Sequence, residues 1–450
     1  MPLEWSAEDF QLGEQELLQH FQHAASRSLA IIGHDPAELG DALIRIALAG
    51  NTPSAGALLK SILAFSSLHR HDVHAQAVDL KISALAALGA VTRANDSQLD
   101  VIEAMQHVAA GMLLSSFEVR ETKPTSQTPS HLLLLNHQPT QTHQSSCTSA
   151  DWRRYLRGVK DVIRTSHLDE IPESQRNPDL SILLDWVHYH DALMQFSQLH
   201  WHREAPLDLS DPFSPRHHHH QSADGTIPTE ILLTQLLSEV ISAASAALSR
   251  SPSPTDTAAR DGNTNSSTYL QILDFRLRSM KISAPETATD QNDLVIAEFY
   301  RLAILIYLNR IHAHSSHLHA SPTTHPQPQH RTNKLQAHGA TPIQTQTQSH
   351  IERAFSLLPA LTKCDRQFPI FILGIEARTD EQRAAILDLV AKTERGVSSR
   401  SFGFTRLLLE ALWAQDDLSG GGGGGGKDRG RYSVKLDELL SRARIMPSFV

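Results

Sequence analysis

Apolar residues recur along most of this chain at the spacing expected of amphipathic helices. The most regular pattern begins at Asp151, where the apolar side chains fall at i, i+3, i+4, i+7 and i+11, namely Trp152, Tyr155, Leu156, Val159 and Ile163. A second continuous apolar stripe runs through residues 293–312 and predicts a core helix. The pattern therefore predicts an all-α fold, a large bundle of many helices.

Glycine and proline mark the boundaries of several of these helices. The residues at 33–36 interrupt the first helix, Gly50 and Asn51 end the second, and Pro53 lies near the start of the third. Short links of this kind favour antiparallel neighbours. The pattern predicts helices over 10–30, 41–49, from 53, 74–91, 97–119, from 151, 180–201, 229–248, 269–277, 293–312, 351–361, 404–415 and 432–445.

Five segments rich in Pro, Ser, Thr, Gln, His or Gly interrupt the helical pattern, at 122–149, 204–227, 249–267, 313–348 and 418–431. Such a composition buries too little apolar surface to offset the entropy lost on ordering, so we expect disordered inserts. We divide the chain into an N-terminal helical segment, residues 1–30, and one large domain, residues 31–450, which contains the inserts.

We expect the rest of the domain to be organised around the stretch from Phe368 to Val390. Its first part is an apolar run, and periodicity alone leaves open whether this run is a buried helix or a buried strand. Thr379 and Gln382 then have the spacing of a capping box at a helix start. The sequence therefore predicts a sharp turn at residues 376–378 and an amphipathic helix after it.

The same stretch, with Gly374 and the sequence Glu-Ala-Arg-Thr at 376–379, resembles the C-terminal part of the fungal-specific transcription factor domain. This domain is the helical regulatory region of fungal zinc-cluster activators. Further pieces resemble the family in the family's order: residues 41–48, 57–69, 152–159, 184–191, 303–310 and 412–414. The likeness spans most of the chain, in pieces that the inserts separate.

The resemblance implies a regulatory domain that controls RNA polymerase II transcription in the nucleus. It implies contacts with other transcriptional regulators, with a second copy of the chain in a dimer, or with a small-molecule effector. An effector or partner that prefers one packing of the helices would expose or mask an activation surface by shifting the populations of the two packings.

The cysteine content departs from the family pattern. Zinc-cluster activators carry six cysteines beside a basic segment, whereas this chain has only Cys147 and Cys364, too few to build a two-zinc cluster. The net charge of -9, from 40 Lys and Arg against 49 Asp and Glu, is also opposite to that of a protein that neutralises DNA phosphates. Direct DNA binding is therefore in doubt: either this is a stand-alone regulatory domain, or an upstream zinc-cluster module is missing from the gene model.

Composition also bears on the cellular compartment. Two cysteines exclude a disulfide framework and suit a reducing compartment. The N-terminus lacks the basic-then-apolar order of a targeting signal, and the longest apolar run, residues 302–308, is too short to cross a bilayer. We therefore expect a soluble intracellular protein that does not enter a membrane.

The 27 histidines invite a metal hypothesis. They cluster at 69, 71 and 74, at 188 and 190, and at 200 and 202, and the run at 217–220 would bind nickel or zinc only adventitiously. A zinc site needs four convergent ligands, and no established zinc-ligand spacing occurs. We interpret them as ordinary helix or surface histidines and expect no metal.

The nearest approach to a catalytic nucleophile is Cys364, which lies beside Lys363 and Asp365. A partly buried thiol at a helix end is the better interpretation. The sequence contains no G-x-S-x-G, P-loop or Rossmann glycine pattern, so we predict no enzyme and no cofactor. Two alternatives stay open: a helical scaffold outside transcription, and an enzyme in which a pocket joins Cys364 to a histidine.

One charged surface is a candidate for partner binding. The helix that begins at Asp151 carries basic residues away from its apolar stripe, namely Arg153, Arg154, Arg157, Lys160 and Arg164. These side chains would contact phosphate or an acidic protein. The alternative, which we favour, is a solvated helix face.

Overall fold

The computed structural model describes residues 12–71, 74–94, 99–121, 151–201, 229–248, 258–282, 291–319, 342–396, 401–419, 436, 440 and 448–449. These residues form fourteen α-helices and no strand: α1 Leu12–His20, α2 Pro36–Leu48, α3 Pro53–His71, α4 Ala75–Ala94, α5 Val101–Glu121, α6 Asp151–Thr165, α7 Pro178–His200, α8 Thr229–Leu248, α9 Ala258–Ser279, α10 Gln291–His319, α11 Pro342–Leu357, α12 Gln367–Glu376, α13 Asp380–Gly396 and α14 Ser401–Ser419. The predicted all-α fold is confirmed.

Several helices are longer than the apolar pattern predicts. The helix α2 begins at Pro36 because Asp35 caps it, with its carboxylate accepting from the Ala37 N–H at 2.9 Å. The helix α9 begins at Ala258, inside the range predicted as a linker, and α10 and α11 similarly shorten the predicted insert at 313–348. A helix can continue past the residues that contact the core, since each added residue adds one backbone hydrogen bond.

Other predicted segments lie outside the described residues. These are the segments at 122–149, 204–227 and 249–257, the central part of the insert at 313–348, and residues 420–431. Of the predicted closing helix at 432–445, the structure describes Leu436 and Leu440, which are both helical and buried.

The buried apolar residues fall into two clusters, which we call the first and second cores. The first core is formed mainly by α1 to α6 and includes Phe21 and Trp186. The second is formed mainly by α8 to α14 and includes Tyr300 and Phe368. Among the described helices, only α7 contributes several side chains to both, and eighteen of its 23 residues are buried. The helix α7 is therefore the structural link between the two halves of the bundle.

The apolar run after Phe368 forms the helix α12, and all ten of its residues are buried. This settles the open alternative in favour of a helix. The predicted capping box is confirmed, since the Gln382 N–H donates to the Thr379 hydroxyl at 3.3 Å and the Gln382 side chain accepts from the Thr379 N–H at 3.3 Å. The turn between α12 and α13 therefore lies where the sequence predicts it.

A buried ion pair fixes α12 against α10. The Arg310 guanidinium donates two hydrogen bonds to the Glu376 carboxylate, at 2.8 and 2.7 Å, and the Glu376 side chain is 1% exposed. Two parallel bonds of this kind define the relative orientation of the two helices as well as their separation. Glu376, a residue of the family-like motif, therefore has a structural explanation in helix packing.

The helix α14 approaches α12 closely at Gly374. The Trp413 indole N–H donates to the Gly374 carbonyl at 2.9 Å. A Cβ atom at Gly374 would lie 2.5 Å from Cδ1 of Leu409, which is fully buried. Only a residue without a side chain allows this contact.

One described helix, α8, is long and apolar enough by composition to cross a membrane, with a mean hydropathy of 1.6 over 18 residues. In the bundle 56% of that window is buried against other helices. A buried core helix passes the same test of length and composition.

We expect the substitution Gly374→Ala to lower the free energy of unfolding by about 1–3 kcal/mol, because the added methyl group must displace Leu409 in a packed core. Urea denaturation measures the change. The matched control is Gly158→Ala in α6, where a Cβ meets nothing within 4 Å. Since Ala is the better helix former, the free energy of unfolding of the control should rise by about 0.5–1 kcal/mol. Equal changes in the free energy of unfolding of the two variants would contradict the close packing at Gly374.

Candidate functional site

A cleft with several polar side chains in an otherwise apolar lining lies between α7, α8 and the link that joins α1 to α2, residues 21–35. The wall from α7 consists of Asp185, His188 and Asp191, which are spaced i, i+3 and i+6 on one face of the helix. The remaining lining residues come from the link and from α8: Ile32, Ile231, Thr234, Gln235 and Ser238. Ile32 and Ile231 belong to or border the second core, whereas the acidic residues of α7 connect to the first half of the chain.

The cleft is narrow in this structure. It encloses ≈ 440 Å³, including space that is open to solvent. The enclosed part has room for about two water molecules but not for a larger ligand. A larger occupant would therefore need α7 and α8 to move apart.

The α1–α2 link is shaped to lie against both helices. Gly33 has a φ of 79°, a left-handed conformation that favours glycine. A Cβ at Gly33 would also lie 3.1 Å from Cγ1 of Ile231 and 3.3 Å from Cβ of Glu230. Glycine is therefore required twice, by the turn and by the close approach to α8.

Two polar contacts join the link to α7. The His34 Nε2 atom lies 2.9 Å from an Asp185 carboxylate oxygen, and the Asp185 side chain is 7% exposed. The His190 Nε2 atom lies 3.1 Å from the Ala30 carbonyl oxygen. Burial lowers the pKa of His190 to about 4, even though the Ala30 carbonyl opposes the shift, so the imidazole is neutral near pH 7.

A buried charge pair joins α6 to α7 beside the cleft. The Lys160 ammonium lies 2.9 Å from Asp191, and the two side chains are 10% and 3% exposed. The second oxygen of the Asp191 carboxylate accepts from the Gln195 amide at 2.8 Å. Both carboxylate oxygens are therefore hydrogen-bonded, as a buried charge requires.

The basic residues of α6 do not form the single exposed face that the sequence pattern suggested. Arg153 and Lys160 are buried, since Arg153 lies over the Trp201 ring at 5.2 Å and Lys160 pairs with Asp191. Arg154 and Arg157 are exposed, and Arg164 pairs loosely with Asp161 at 3.4 Å. The helix is covered on more than one side, so a polar residue outside its apolar stripe can still point into the protein. The binding of a partner by the exposed arginines stays a prediction.

In the structure, histidines of these clusters make hydrogen bonds and ring contacts within the bundle. The rings of His20 and His69 are joined by a 3.0 Å hydrogen bond, those of His71 and His74 stack at 5.8 Å, and His200 Nε2 bonds to the Tyr307 hydroxyl at 2.8 Å. Among the described residues, no group of three or more His, Cys, Asp or Glu is arranged to ligate a metal. His202 and the run at 217–220 lie outside those residues.

Cys364 is fully buried, and its thiol donates to the Arg366 carbonyl at 3.5 Å. Burial raises the pKa of the thiol to about 12. The thiol therefore stays protonated near pH 7, which is the opposite of what a nucleophile needs.

The sequence pattern did not identify the contacts of Asp185, Asp191 and Lys160 around this cleft. A signal was nonetheless present, because the predicted helix at 180–201 carries two carboxylates inside an otherwise apolar segment. Buried charges need partners, so carboxylates at these two positions indicate contacts with residues elsewhere in the chain, without identifying those residues.

We expect Lys160→Met to lower the free energy of unfolding by about 3–5 kcal/mol, because it leaves the Asp191 charge buried without its cation. Chemical denaturation measures the loss. Arg157→Met is the matched control on the same helix, where the side chain is exposed and the change should stay within about 0.5 kcal/mol. A Lys160→Met variant as stable as this control would contradict the buried pair.

Comparison with known proteins agrees with the fold and the motif. The model of the fungal specific transcription factor domain matches residues 16–432. The chain is 38% identical over 453 residues to "Transcription factor iacI" of Pestalotiopsis fici, with 100% of this chain and 99% of that protein covered. No solved structure matches the chain. The match over most of the chain shows that this protein belongs to the fungal-specific transcription factor domain family.

Proposed function

We propose that this transcription factor acts in the nucleus and controls RNA polymerase II transcription through its helical domain, by contacting another transcriptional regulator or a small effector. The single observation that supports this best is the cleft beside α7. It lies where the two cores meet, and its walls come from separate parts of the chain. A ligand or partner helix that entered it would act on the packing of both halves at once.

In this proposal, regulation is a shift between a closed and an opened cleft. In the closed form, the α7 wall of the cleft is fixed by the contact of Asp185 with His34 in the link and by the contact of Asp191 with Lys160 on α6. An occupant changes the balance only by its difference in affinity for the two forms, and a change from 1:99 to 99:1 needs a preference of about 10⁴-fold. The buried pair of Asp191 and Lys160 gives such a difference a physical origin, because opening the cleft exposes Asp191 to water.

We further propose that a partner supplies the contacts with DNA. The 450 residues contain two cysteines, and their charge is -9, so these residues have neither the ligands of a six-cysteine zinc cluster nor an excess of cations for phosphate. The partner is another transcription factor or, in a dimer, a second copy that itself associates with one. The exposed Arg154 and Arg157 are the candidate contacts for an acidic segment of that partner.

We propose that the chain is not an enzyme. The best candidate nucleophile, Cys364, is buried with a raised pKa, which supports a structural role. The alternative is a helical scaffold without a transcriptional role. The location of the protein in the cell and the effect of its loss on transcripts distinguish the two, since both would have the same fold.

The proposal is tested by deleting the gene in its native fungus and restoring either the wild-type gene or a cleft variant, Ser238→Trp, with a fluorescent tag on each protein. We expect nuclear fluorescence and a set of transcripts that changes on deletion and returns with the wild type. The Trp side chain is larger than the space in the closed cleft and would hold α7 and α8 apart, so Ser238→Trp should leave the same transcripts misregulated at unchanged protein abundance.

The matched control is Ala246→Trp, an equal enlargement at an exposed position of the same helix, which should restore transcription fully. Unchanged transcripts after deletion, or lasting exclusion of the tagged protein from nuclei, would contradict the transcriptional role. Full restoration by a correctly folded Ser238→Trp protein would contradict the role of the cleft while leaving the transcriptional role standing.

A further inference from the structure

A second polar cluster lies inside the second core. It consists of Tyr189 on α7, Tyr300 on α10, and Cys364 to Arg366 in the segment before α12. Tyr189 and Tyr300 are 0% and 1% exposed. The Arg366 guanidinium lies 5.9 Å from the centre of the Tyr189 ring.

Neither tyrosine hydroxyl has a hydrogen-bond partner outside this pair of tyrosines. Burial raises the pKa of Tyr189 to about 12 and the pKa of Tyr300 well above its ordinary value, so both groups remain O–H donors near pH 7. The two hydroxyls lie within reach of each other, and each influences the pKa of the other. Even if one donated to the other, the second O–H would still lack an acceptor.

The surrounding groups add donors and almost no acceptors. Arg366 brings five N–H donors, and its nearest carboxylate is Asp365, at 3.5 Å from one guanidinium nitrogen. The Cys364 thiol is uncharged, and it already bonds to the Arg366 carbonyl. The cluster therefore has a surplus of donors and one positive charge that is only loosely neutralised. A buried donor without an acceptor costs about 1–3 kcal/mol. Several such donors in one cluster therefore need a structural explanation.

We propose that Tyr189, Tyr300 and Arg366 form a binding site for a small carboxylate. One carboxylate oxygen would accept from the tyrosine hydroxyls and the other from the guanidinium, a group whose planar fork matches a carboxylate. The side chains of Arg366 and Asp365 are 13% and 34% exposed, so a ligand would enter from the side of these two residues. No bond is made or broken, and the site does not depend on the transcriptional role.

The test uses the purified full-length protein and acetate as the probe. Sodium chloride is replaced stepwise by sodium acetate at constant sodium concentration and pH, and Tm is measured at each step. We expect the wild-type Tm to rise with acetate and then to saturate, because a ligand that binds only the folded state stabilises it by mass action. Tyr189→Phe, Tyr300→Phe and Arg366→Met should each abolish the acetate-dependent rise.

The two Phe variants also test the site without acetate. Since each removes a buried hydroxyl that has no acceptor, we expect their Tm in chloride to equal or exceed that of the wild type. Tyr155→Phe is the matched control: its hydroxyl lies 3.5 Å from Glu118, beside the first core, so this variant should keep the full acetate response. A wild-type Tm that does not respond to acetate overturns the proposal, as does a response that persists in all three site variants. If the Phe variants have a lower Tm than the wild type by the same amount in both salts, the hydroxyls bind buried water in the wild type. That result also overturns the proposal.

Discussion

The bundle depends on one constraint, which is that α7 is buried on nearly every side yet carries polar and charged side chains. A buried carboxylate or imidazole must find a hydrogen-bond partner, and α7 cannot supply enough of them from its own turns. The partners therefore come from distant parts of the chain: His34 for Asp185, Lys160 for Asp191 and Tyr307 for His200. These contacts bind the α1–α2 link, α6 and α10 to one helix and define how the two cores meet.

The second core adds a constraint of the same kind at α12. This helix is buried along its whole length, and its single carboxylate, Glu376, accepts two hydrogen bonds from Arg310 and lies 4.0 Å from Arg378. Gly374 and Trp413 then fix the approach of α14. The residues that give the chain its likeness to the family at this point are thus explained by helix packing. The cleft and the tyrosine cluster lie instead beside α7, where packing leaves polar groups near a boundary between cores.

The helical period was enough to predict the fold class and the approximate place of most helices, because amphipathic spacing is a local property. It did not predict where α9 begins or which structure the run after Phe368 adopts, since neither is decided by periodicity alone. It also misplaced Arg153 and Lys160, because a helix between two neighbours has more than one buried side. The cleft itself joins residues about 150 positions apart in sequence, such as His34 and Asp185, and no local pattern encodes that contact.

Native-state hydrogen exchange, read by mass spectrometry across α7, tests most directly whether this helix unites the two halves. If the contacts across the boundary make the bundle one cooperative unit, the central amides of α7 exchange only through global unfolding. Peptides from the buried parts of both cores then share the same opening free energy as α7. Exchange of α7 together with only one core, at an opening free energy clearly below that of the other core, would contradict the central place given to α7.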